Sequence, residues 1–404
     1  MLQQQVLENR RSTLIALIGL VVLAGLFVKW EPGTARSNPV VQPTGSDHGD
    51  SQEVLARLPA ANRNPQLRLA ARGSLVRSPL ETMVLAARNL ETLRRDGDSQ
   101  IGGFTETLLL GEAVKTEPRA MLLLADLYQF QHRFDESEQL LSRLRRSGQG
   151  GSQTWLLSAN LARVQGRLDD ANTACIKAGQ PKPTLWSVLC SADLAILAGR
   201  SAAYPSSVRA LAELGSQWQQ DPLAAVWLAD MADRAGFEAQ ARQHFKDALV
   251  LGIGPYGVDR YFRFLLEHHQ PEAAERLLTW WLAQRSEPSL SDILNQAQIA
   301  SSQGDRHRLV ALEREFHRHR DSTGGQAHWR ELTRFALVVE QDYAAALEHA
   351  SENWRNQKEP IDAILLARAA RLAGSNETSA ALGEDLGSLQ MFGVLGQLRQ
   401  QGLL

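Results

Sequence analysis

The sequence predicts an all-α protein, in which antiparallel helix pairs stack into an α-solenoid behind a single transmembrane or signal helix. From about residue 51, apolar residues recur at i, i+3, i+4 and i+7, and polar turns interrupt them about every 12 to 16 residues. The same region resembles itself at an offset of 34 residues. An uncharged apolar run near the amino terminus predicts the leading helix. No segment shows sustained alternation with β-branched residues, so we expect almost no sheet.

Composition excludes several classes of protein. The chain has 404 residues, of which 44% are hydrophobic and 22% charged, so it can bury a core and wholesale disorder is not expected. Two cysteines cannot form a disulfide-rich scaffold or a zinc-finger array. A net charge of -2 supplies no overall attraction to nucleic acid, so we expect no nucleic-acid partner.

The predicted membrane span covers residues 12–28 and comes after a polar tail, residues 1–11. Its apolar part runs from Thr13 to Val28 without a charge or a proline. A bilayer core of about 30 Å needs about 20 helical residues, with about 17 as the lower limit. The segment therefore just reaches the length that a single span requires.

Two fates compete for this segment. A cleaved signal peptide would use Arg10 and Arg11 as its positive region and would place small residues close behind the apolar run. The nearest small residues, at 33–35, lie late for cleavage. Trp30 instead suits the aromatic belt of a retained span, so we favour an uncleaved signal anchor and keep cleavage as the alternative.

The position of the segment also predicts where the folded part of the chain lies. Arg10 and Arg11 favour a cytoplasmic amino terminus, although Lys29 and Arg36 oppose them. A signal-like segment this early normally sends the remainder of the chain across the membrane. We therefore expect a single-pass protein of the bacterial inner membrane with its repeat domain in the periplasm. Residues 29–50, with three prolines and three glycines, are predicted to be a linker.

Residues 125–137 and 159–171 show the repeat most clearly. Aligned without a gap, they share a small first residue, a polar turn, an aromatic residue or leucine after an arginine, an acidic pair and a second small residue. This pattern resembles the tetratricopeptide repeat (TPR), whose period is 34 residues. Anchor positions late in each first helix, most of them alanine, step by 33 to 37 residues and fall at 125, 159, 192, 229, 262, 297, 334 and 367.

The resemblance implies a right-handed solenoid and divides the chain into three parts. Small residues let the two helices of a unit approach closely, and the first helix of the next unit packs against the pair, so the array is stable only as a stack. A divergent amino-terminal helical cap is expected over 51–118. The TPR-like array is expected over 119–375, and a carboxyl-terminal helical cap over 376–404.

Few residues suggest a disulfide, a metal site or a catalytic site. Cys175 and Cys190 lie on helices that the stack makes neighbours, so they are a candidate disulfide in an oxidising compartment or, as the alternative, two small buried hydrophobes. His317 and His319 lack the i,i+4 spacing of a helical ligand pair. No metal, nucleotide-binding or nucleophile motif occurs in the sequence, so we expect no metal, no cofactor and no enzymatic activity.

In TPR proteins the faces of the first helices that point away from the second helices line a concave groove. The resemblance implies such a groove here, where asparagine and arginine side chains would clamp a peptide backbone or a carboxylate. An ordinary hydrated surface is the alternative. The implied partner-binding residues are Arg119, Asp126, Gln129, Asn160, Arg163, Asp193, Asp230, Asp233 and Arg234.

These observations predict a membrane-anchored, TPR-like scaffold or adaptor that mediates protein–protein interactions in a bacterial envelope assembly, with protein partners that the sequence does not identify. The alternative is an accessory protein of envelope polysaccharide export or modification that binds glycan. Trp280 and Trp281 would stack on the sugar in that case, and a place in the core and at an interface is their other interpretation.

Overall fold

The computed structural model describes residues 78–96, 99–149, 151–285, 287–322 and 329–404. The predicted tail, span and linker and the first part of the predicted cap, residues 1–77, lie outside these ranges, so the statements about them remain predictions. Within the described ranges, no helix combines the length and the apolar character needed to cross a membrane.

The described residues form nineteen α-helices and no strand. In chain order these are α1 (Pro79–Asp96), α2 (Ser99–Leu109), α3 (Pro118–Phe130), α4 (Phe134–Arg146), α5 (Gly151–Val164), α6 (Leu168–Ala178), α7 (Leu185–Leu197), α8 (Ala203–Glu213), α9 (Pro222–Arg234), α10 (Glu238–Leu251), α11 (Pro255–Glu267), α12 (Pro271–Leu282), α13 (Leu290–Ser302), α14 (Arg306–Ser322), α15 (Trp329–Phe335), α16 (Tyr343–Asn356), α17 (Pro360–Ala373), α18 (Asn376–Ser388) and α19 (Phe392–Gln400).

From α3 to α18 the helices pair as predicted, into eight successive units. The first helices of these units begin 31 to 39 residues apart. The all-helical, TPR-like repeat fold is therefore confirmed over the described residues. Helices α1 and α2 precede the first unit and lie in the range predicted for the amino-terminal cap. The eighth unit is α17 with α18, so the boundary predicted at residue 375 falls inside a unit, and α19 comes after it.

Local sequence signals set the helix ends. The side chain of Asp221 accepts hydrogen bonds from the backbone N–H groups of Leu223 (2.9 Å) and Ala224 (3.1 Å), and Pro222 fills a first-turn position that needs no N–H donor. Helix α9 therefore begins there. At the far end of α17, Gly374 has a φ of 73°, a left-handed conformation that glycine adopts without steric cost.

Small side chains at the anchor positions let the helices approach. Ala125 and Ala297, for example, are fully buried between neighbouring helices. Two anchors are not small. Phe262 is one of them and is fully buried. The other is Arg334, which lies two residues before a π-helical turn, and there Ala336 is the small buried residue instead.

The stack curls until its carboxyl-terminal end meets its middle. The backbone N–H of Lys358 donates to the carbonyl oxygen of Val164 at 2.7 Å. A Cβ atom added to Gly393 would lie 2.4 Å from the carbonyl oxygen of Ile196, so α19 packs backbone to backbone against α7. One hydrophobic cluster joins α5–α7 to α16–α19. Helices α16–α19 thus close against the middle of the array.

Candidate functional site

First helices surround a small central cavity of about 80 Å³. Its walls come from α5, α7, α9, α11 and α15 and from the start of α17. Tyr256, which is 41% exposed, is part of the lining. The charged residues of the lining are five arginines and three carboxylates, namely Arg163, Arg234, Arg260, Arg263, Arg330, Asp193, Asp230 and Glu359.

Glu359 connects two distant parts of the array across this cavity. Its carboxylate accepts hydrogen bonds from Arg163 of α5 at 2.8 Å and from Arg330 of α15 at 2.6 Å. Arg330 also binds both carboxylate oxygens of Asp362, at 2.7 and 2.8 Å. Burial alone would raise the pKa of Glu359, but the attraction of Arg330 and Arg163 outweighs it and holds the pKa well below its ordinary range.

Two of the hydrogen-bond donors of Arg234, a residue of the cavity wall, have no acceptor among the described residues. Its Nη2 atom contacts the carboxylates of Asp193 and Asp230, and its side chain is only 10% exposed. Its Nε and Nη1 atoms are buried and have no hydrogen-bond partner among the described residues. Burial would raise the pKa of Asp193, but the attraction of Arg234 and Arg163 lowers it, so the carboxylate stays charged.

Arg260 and Arg234 both form an ion pair with the same carboxylate, that of Asp230. Arg263, one turn further along α11, pairs instead with Asp259 at 3.0 Å, a residue that does not line the cavity. Although Asp230 is its partner, burial lowers the pKa of Arg260 to about 9, and repulsion from Arg263 adds to the effect. With Asp259 and Asp362, which pair with Arg263 and Arg330 from outside the lining, the five arginines of the cavity wall are matched by five carboxylates.

The nine residues implied by the TPR resemblance fall into two groups. Those that line the central cavity are Asn160, Arg163, Asp193, Asp230 and Arg234. The remaining four are Arg119, Asp126, Gln129 and Asp233, which lie outside its lining.

The four outlying residues are partly or wholly enclosed by their own chain. Asp126 accepts from Arg94 at 2.5 Å, and Gln129 donates to a backbone carbonyl of α5 at 3.0 Å. Asp233 lies 2.8 Å from Nε2 of His268, and the Nε of Arg119 is buried without a partner among the described residues. Asp126 thus joins α3 to α1, Gln129 joins α3 to α5, and Asp233 joins α9 to the residue directly after α11.

Sequence reasoning missed several inward-facing residues, although a signal for some was present. The residue directly after an anchor faces the interior. Four such residues line the central cavity: Asn160, Asp193 and Asp230, which the TPR resemblance implies, and Arg263, which it did not identify. Two more, Gln298 and Arg368, line a second depression. Arg330 and Glu359 had no such signal, because only the closure of the stack brings them to the cavity.

The second depression, which we call the C-terminal groove, lies between α11, α13, α17 and the segment directly after α15. It encloses about 290 Å³. Its apolar lining includes Leu266, Leu337, Val338, Ile361, Ile364 and Leu372. Its charged lining is Arg263, Arg334, Arg368 and Glu267.

A backbone irregularity lies in the wall of the C-terminal groove. Residues Ala336–Glu340 form a π-helix, and Gln341 after it has a left-handed φ of 55°. Leu337 and Val338 of this turn line the groove. Single π turns occur mostly inside α-helices and frequently at functional sites. This π-helical turn therefore distinguishes the backbone of the groove from that of the regular helix pairs elsewhere in the described array.

The two cysteines are joined in the structure. Cys175 of α6 and Cys190 of α7 form a disulfide, with Cα atoms 5.7 Å apart. Cys175 is fully buried. The bond links the second helix of one unit to the first helix of the next.

The two tryptophans predicted as a possible sugar-stacking site differ in their surroundings. Trp280 is 44% exposed, whereas Trp281 donates its indole N–H to Asp292 at 3.0 Å and lies under the guanidinium of Arg285. Among the described residues, no group of three or more His, Cys, Asp or Glu side chains is arranged to hold a metal ion.

Comparisons with known proteins bear on the fold. No protein-family model matches the sequence, and no curated protein matches it. A solved structure described as "Functional Characterization of Pseudomonas Aeruginosa pilF" covers 60% of this chain and 93% of its own, at 14% identity and a TM-score of 0.30. A monomeric mutant of IFIT1 with Gppp-AAAA covers 76% and 73%, at 14% identity and a TM-score of 0.37. Scores this low leave the fold to be established by the helix pairs of the chain itself.

Proposed function

We propose that this protein is a membrane-anchored, non-catalytic scaffold that binds a protein partner in a bacterial envelope assembly, with its repeat array in the periplasm. The observation that supports a binding role is the C-terminal groove. The predicted anchor and linker supply the membrane attachment and the compartment.

The shape and lining of the groove favour a short apolar segment of a partner. Ile361, Ile364, Arg368 and Leu372 lie along one face of α17, at the i, i+3, i+7 and i+11 spacing of a helix stripe. Leu372 is 51% exposed whereas Ile364 is 6% exposed, so the described chain leaves the far end of this stripe uncovered. At about 290 Å³, the groove accommodates a few side chains and lies at the lower end of ligand-pocket volumes, which are roughly 300 to 1,000 Å³.

The charge of the groove favours a partner segment that contains a carboxylate. Arg263 and Arg334 share one carboxylate, that of Asp259, at 3.0 and 3.6 Å. The side chain of Arg368 forms no ion pair or hydrogen bond with any other described residue. Because arginine pairs well with carboxylates, an acidic side chain or chain terminus of the partner would complement this surface.

Photocrosslinking in intact cells tests the proposal. A photoreactive amino acid at position 372 should give a discrete adduct with one envelope protein, and the adduct should disappear when Arg368→Glu is added. The matched control is the same amino acid at Val310, a 46% exposed residue of α14 outside the groove. Equal adducts from both positions, or none from position 372, would contradict a partner site in the groove.

Glycan binding is the second candidate function, supported by the exposure of Trp280 on α12. An exposed indole can stack on a sugar ring, since one of its faces is open. Polysaccharide binding that is lost in Trp280→Ala and retained in Arg368→Glu would support this role. Protein adducts at the groove together with no glycan binding would favour the scaffold.

A further inference from the structure

We propose that one edge of the helix stack docks on the surface of an anionic phospholipid bilayer. This edge, which we call the tether edge, consists of the ends of the second helices, the starts of the first helices and the turns between them, for example residues 175–185 and 248–255. The inference rests on the membrane attachment proposed above and adds a second, reversible membrane contact, which the array itself makes.

Exposed apolar side chains are concentrated at the tether edge. Among the described residues, eleven large apolar side chains are at least 41% exposed, and eight of them lie at this edge rather than being shared evenly with the opposite one. Four lie at the ends of the successive second helices α6, α8, α10 and α12, namely Ile176, Leu214, Val250 and Trp280. The others are Leu80, Tyr256 and Trp329 at the starts of first helices and Leu110 directly after α2. Exposed apolar side chains grouped in this way mark an interaction surface.

The two edges of the stack also differ in charge. At the five junctions from α4 to α13 that form the tether edge, four basic and two acidic side chains are exposed, namely Arg143, Arg146, Lys177, Lys182, Glu213 and Glu287. The five junctions of the opposite edge, from α3 to α12, expose two basic and five acidic side chains. Helices of 13 or 14 residues separate the edges by about 20 Å, which exceeds the screening length of about 8 to 10 Å, so each edge presents its own charge.

The chain enters the array at the tether edge. Helix α1 packs against both α2 and α3 and so occupies the position of a first helix. Its start at Pro79 therefore lies at this edge, and residues 1–77, with the predicted anchor and linker, come directly before it. Attachment through that segment brings this edge nearest to the bilayer. Leu372 of the C-terminal groove lies near the end of a first helix, at the opposite edge, and stays accessible to a partner.

Charge and spacing favour a bilayer over other occupants of this edge. A second copy of the chain, bound by the same surface, would bring basic residues against basic residues. Neighbouring helices lie about 8 to 10 Å apart, so the apolar side chains form separate points and no continuous groove for a protein segment. A fluid interface accepts isolated apolar side chains, tryptophan among them, while anionic headgroups attract lysine and arginine.

The full chain, reconstituted in lipid vesicles, provides the test. Val250→Cys is labelled with a polarity-sensitive fluorophore while the Cys175–Cys190 disulfide is kept oxidised, and the vesicles contain a spin-labelled lipid that quenches on contact. Val250 is 88% exposed, so the label does not disturb the core. We expect blue-shifted, quenched emission in vesicles of phosphatidylcholine with phosphatidylglycerol. Quenching should be much weaker in phosphatidylcholine alone and should fall as salt is added.

The matched control is Val310→Cys, which carries the same label near the start of α14, away from the tether edge. Val310 is 46% exposed and should remain unquenched in the same vesicles. Absence of quenching at position 250 in anionic vesicles, or equal quenching at both positions, would overturn the proposal. Emission at position 250 that shifts with protein density but is not quenched by the lipid would identify a second copy as the occupant and would also overturn it.

Charge variants of the labelled chain locate the contact. Lys177→Gln should lower the ratio of docked to undocked arrays about fivefold, the effect of one basic residue near an anionic surface. Arg200→Gln removes an exposed basic residue at the opposite edge and should leave this ratio unchanged. Equal effects of the two variants, or no effect of Lys177→Gln, would contradict docking through the tether edge.

Retention of the chain in the vesicles after an alkaline wash measures the predicted anchor separately. Retention without quenching at position 250 overturns the docking and leaves the anchored scaffold intact. Loss of the chain in the wash contradicts the anchor, whereas the quenching recorded before the wash still decides the docking. Adducts at position 372 test the C-terminal groove independently of both.

Discussion

Arg163 and Glu359 are separated by 196 positions in the sequence and form an ion pair of 2.8 Å. Arg163 lies near the end of α5, and Glu359 immediately precedes α17, so this pair marks the place where the late units of the array meet the early ones. Arg330 contacts the same carboxylate at 2.6 Å. This carboxylate holds two arginines and is one of the contacts that close the stack, beside the hydrogen bond from Lys358 to Val164 and the packing of α19 against α7.

Glu359→Gln should destabilise the protein by roughly 2 to 4 kcal/mol, because it leaves two largely enclosed guanidinium groups without their shared charge. Glu352→Gln is the matched control. Glu352 pairs with Arg355, whose side chain is 68% exposed, and such surface pairs are worth about 1 kcal/mol or less. Urea unfolding monitored by circular dichroism measures both, and equal losses would show that Glu359 has no special role.

Stability should fall as the pH drops below about 4.5, the ordinary pKa of Glu359. A carboxylate whose pKa is lowered in the folded state stabilises the fold above its unfolded pKa, and that stability is lost as the pH falls towards the folded pKa. Asp193 and Asp259 have lowered pKa values and add to this trend, whereas the raised pKa values of Asp233 and Asp362 oppose it.

Unfolding free energies measured between pH 3 and pH 6 check the sign. The wild-type chain should lose stability over this range more steeply than Glu359→Gln, because the variant lacks the contribution of this carboxylate. Parallel profiles for the two proteins would mean that Glu359 does not couple stability to pH.

Reduction of the disulfide should lower stability by about 3 kcal/mol. The bond closes a loop with a sequence separation of 15 residues, and the chain-entropy treatment gives about that value for such a loop. A melting curve with and without reductant measures the effect. The variant with both Cys175→Ser and Cys190→Ser should melt at the same temperature in either buffer. A wild-type melting temperature that does not respond to complete reduction would contradict this expectation.

Two glycines of α19 should respond to alanine in opposite directions. Gly393→Ala would place a methyl group 2.4 Å from the carbonyl oxygen of Ile196, so it should separate α19 from α7 and cost roughly 1 to 3 kcal/mol. Gly396→Ala meets nothing within 4 Å and should stabilise the helix by about 0.5 to 1 kcal/mol. Chemical unfolding and the rate of proteolysis near residue 390 measure both. Similar behaviour of the two variants would argue against close packing at this contact.

Much of the fold was predictable because helix pairing is local. The 34-residue offset between Ala125 and Ala159 reflects helices that pack against their immediate neighbours in sequence, and each such contact leaves a periodic apolar pattern. The same register predicted that Asn160, Asp193 and Asp230 face inward. What these residues contact was not predictable from the repeat, because Arg260 and Glu359 reach the cavity from other units.

The sequence by itself determined the helices, the eight paired units and the inward side of the first helices, since each depends on residues a few positions or one repeat apart. Only the tertiary structure decided that the array closes on itself, that Arg163 and Arg330 share Glu359, and that the implied groove residues mostly contact their own chain. Those relationships arise from the curvature of the whole stack. Small offsets between successive units accumulate over about 200 residues into a contact that no single repeat encodes.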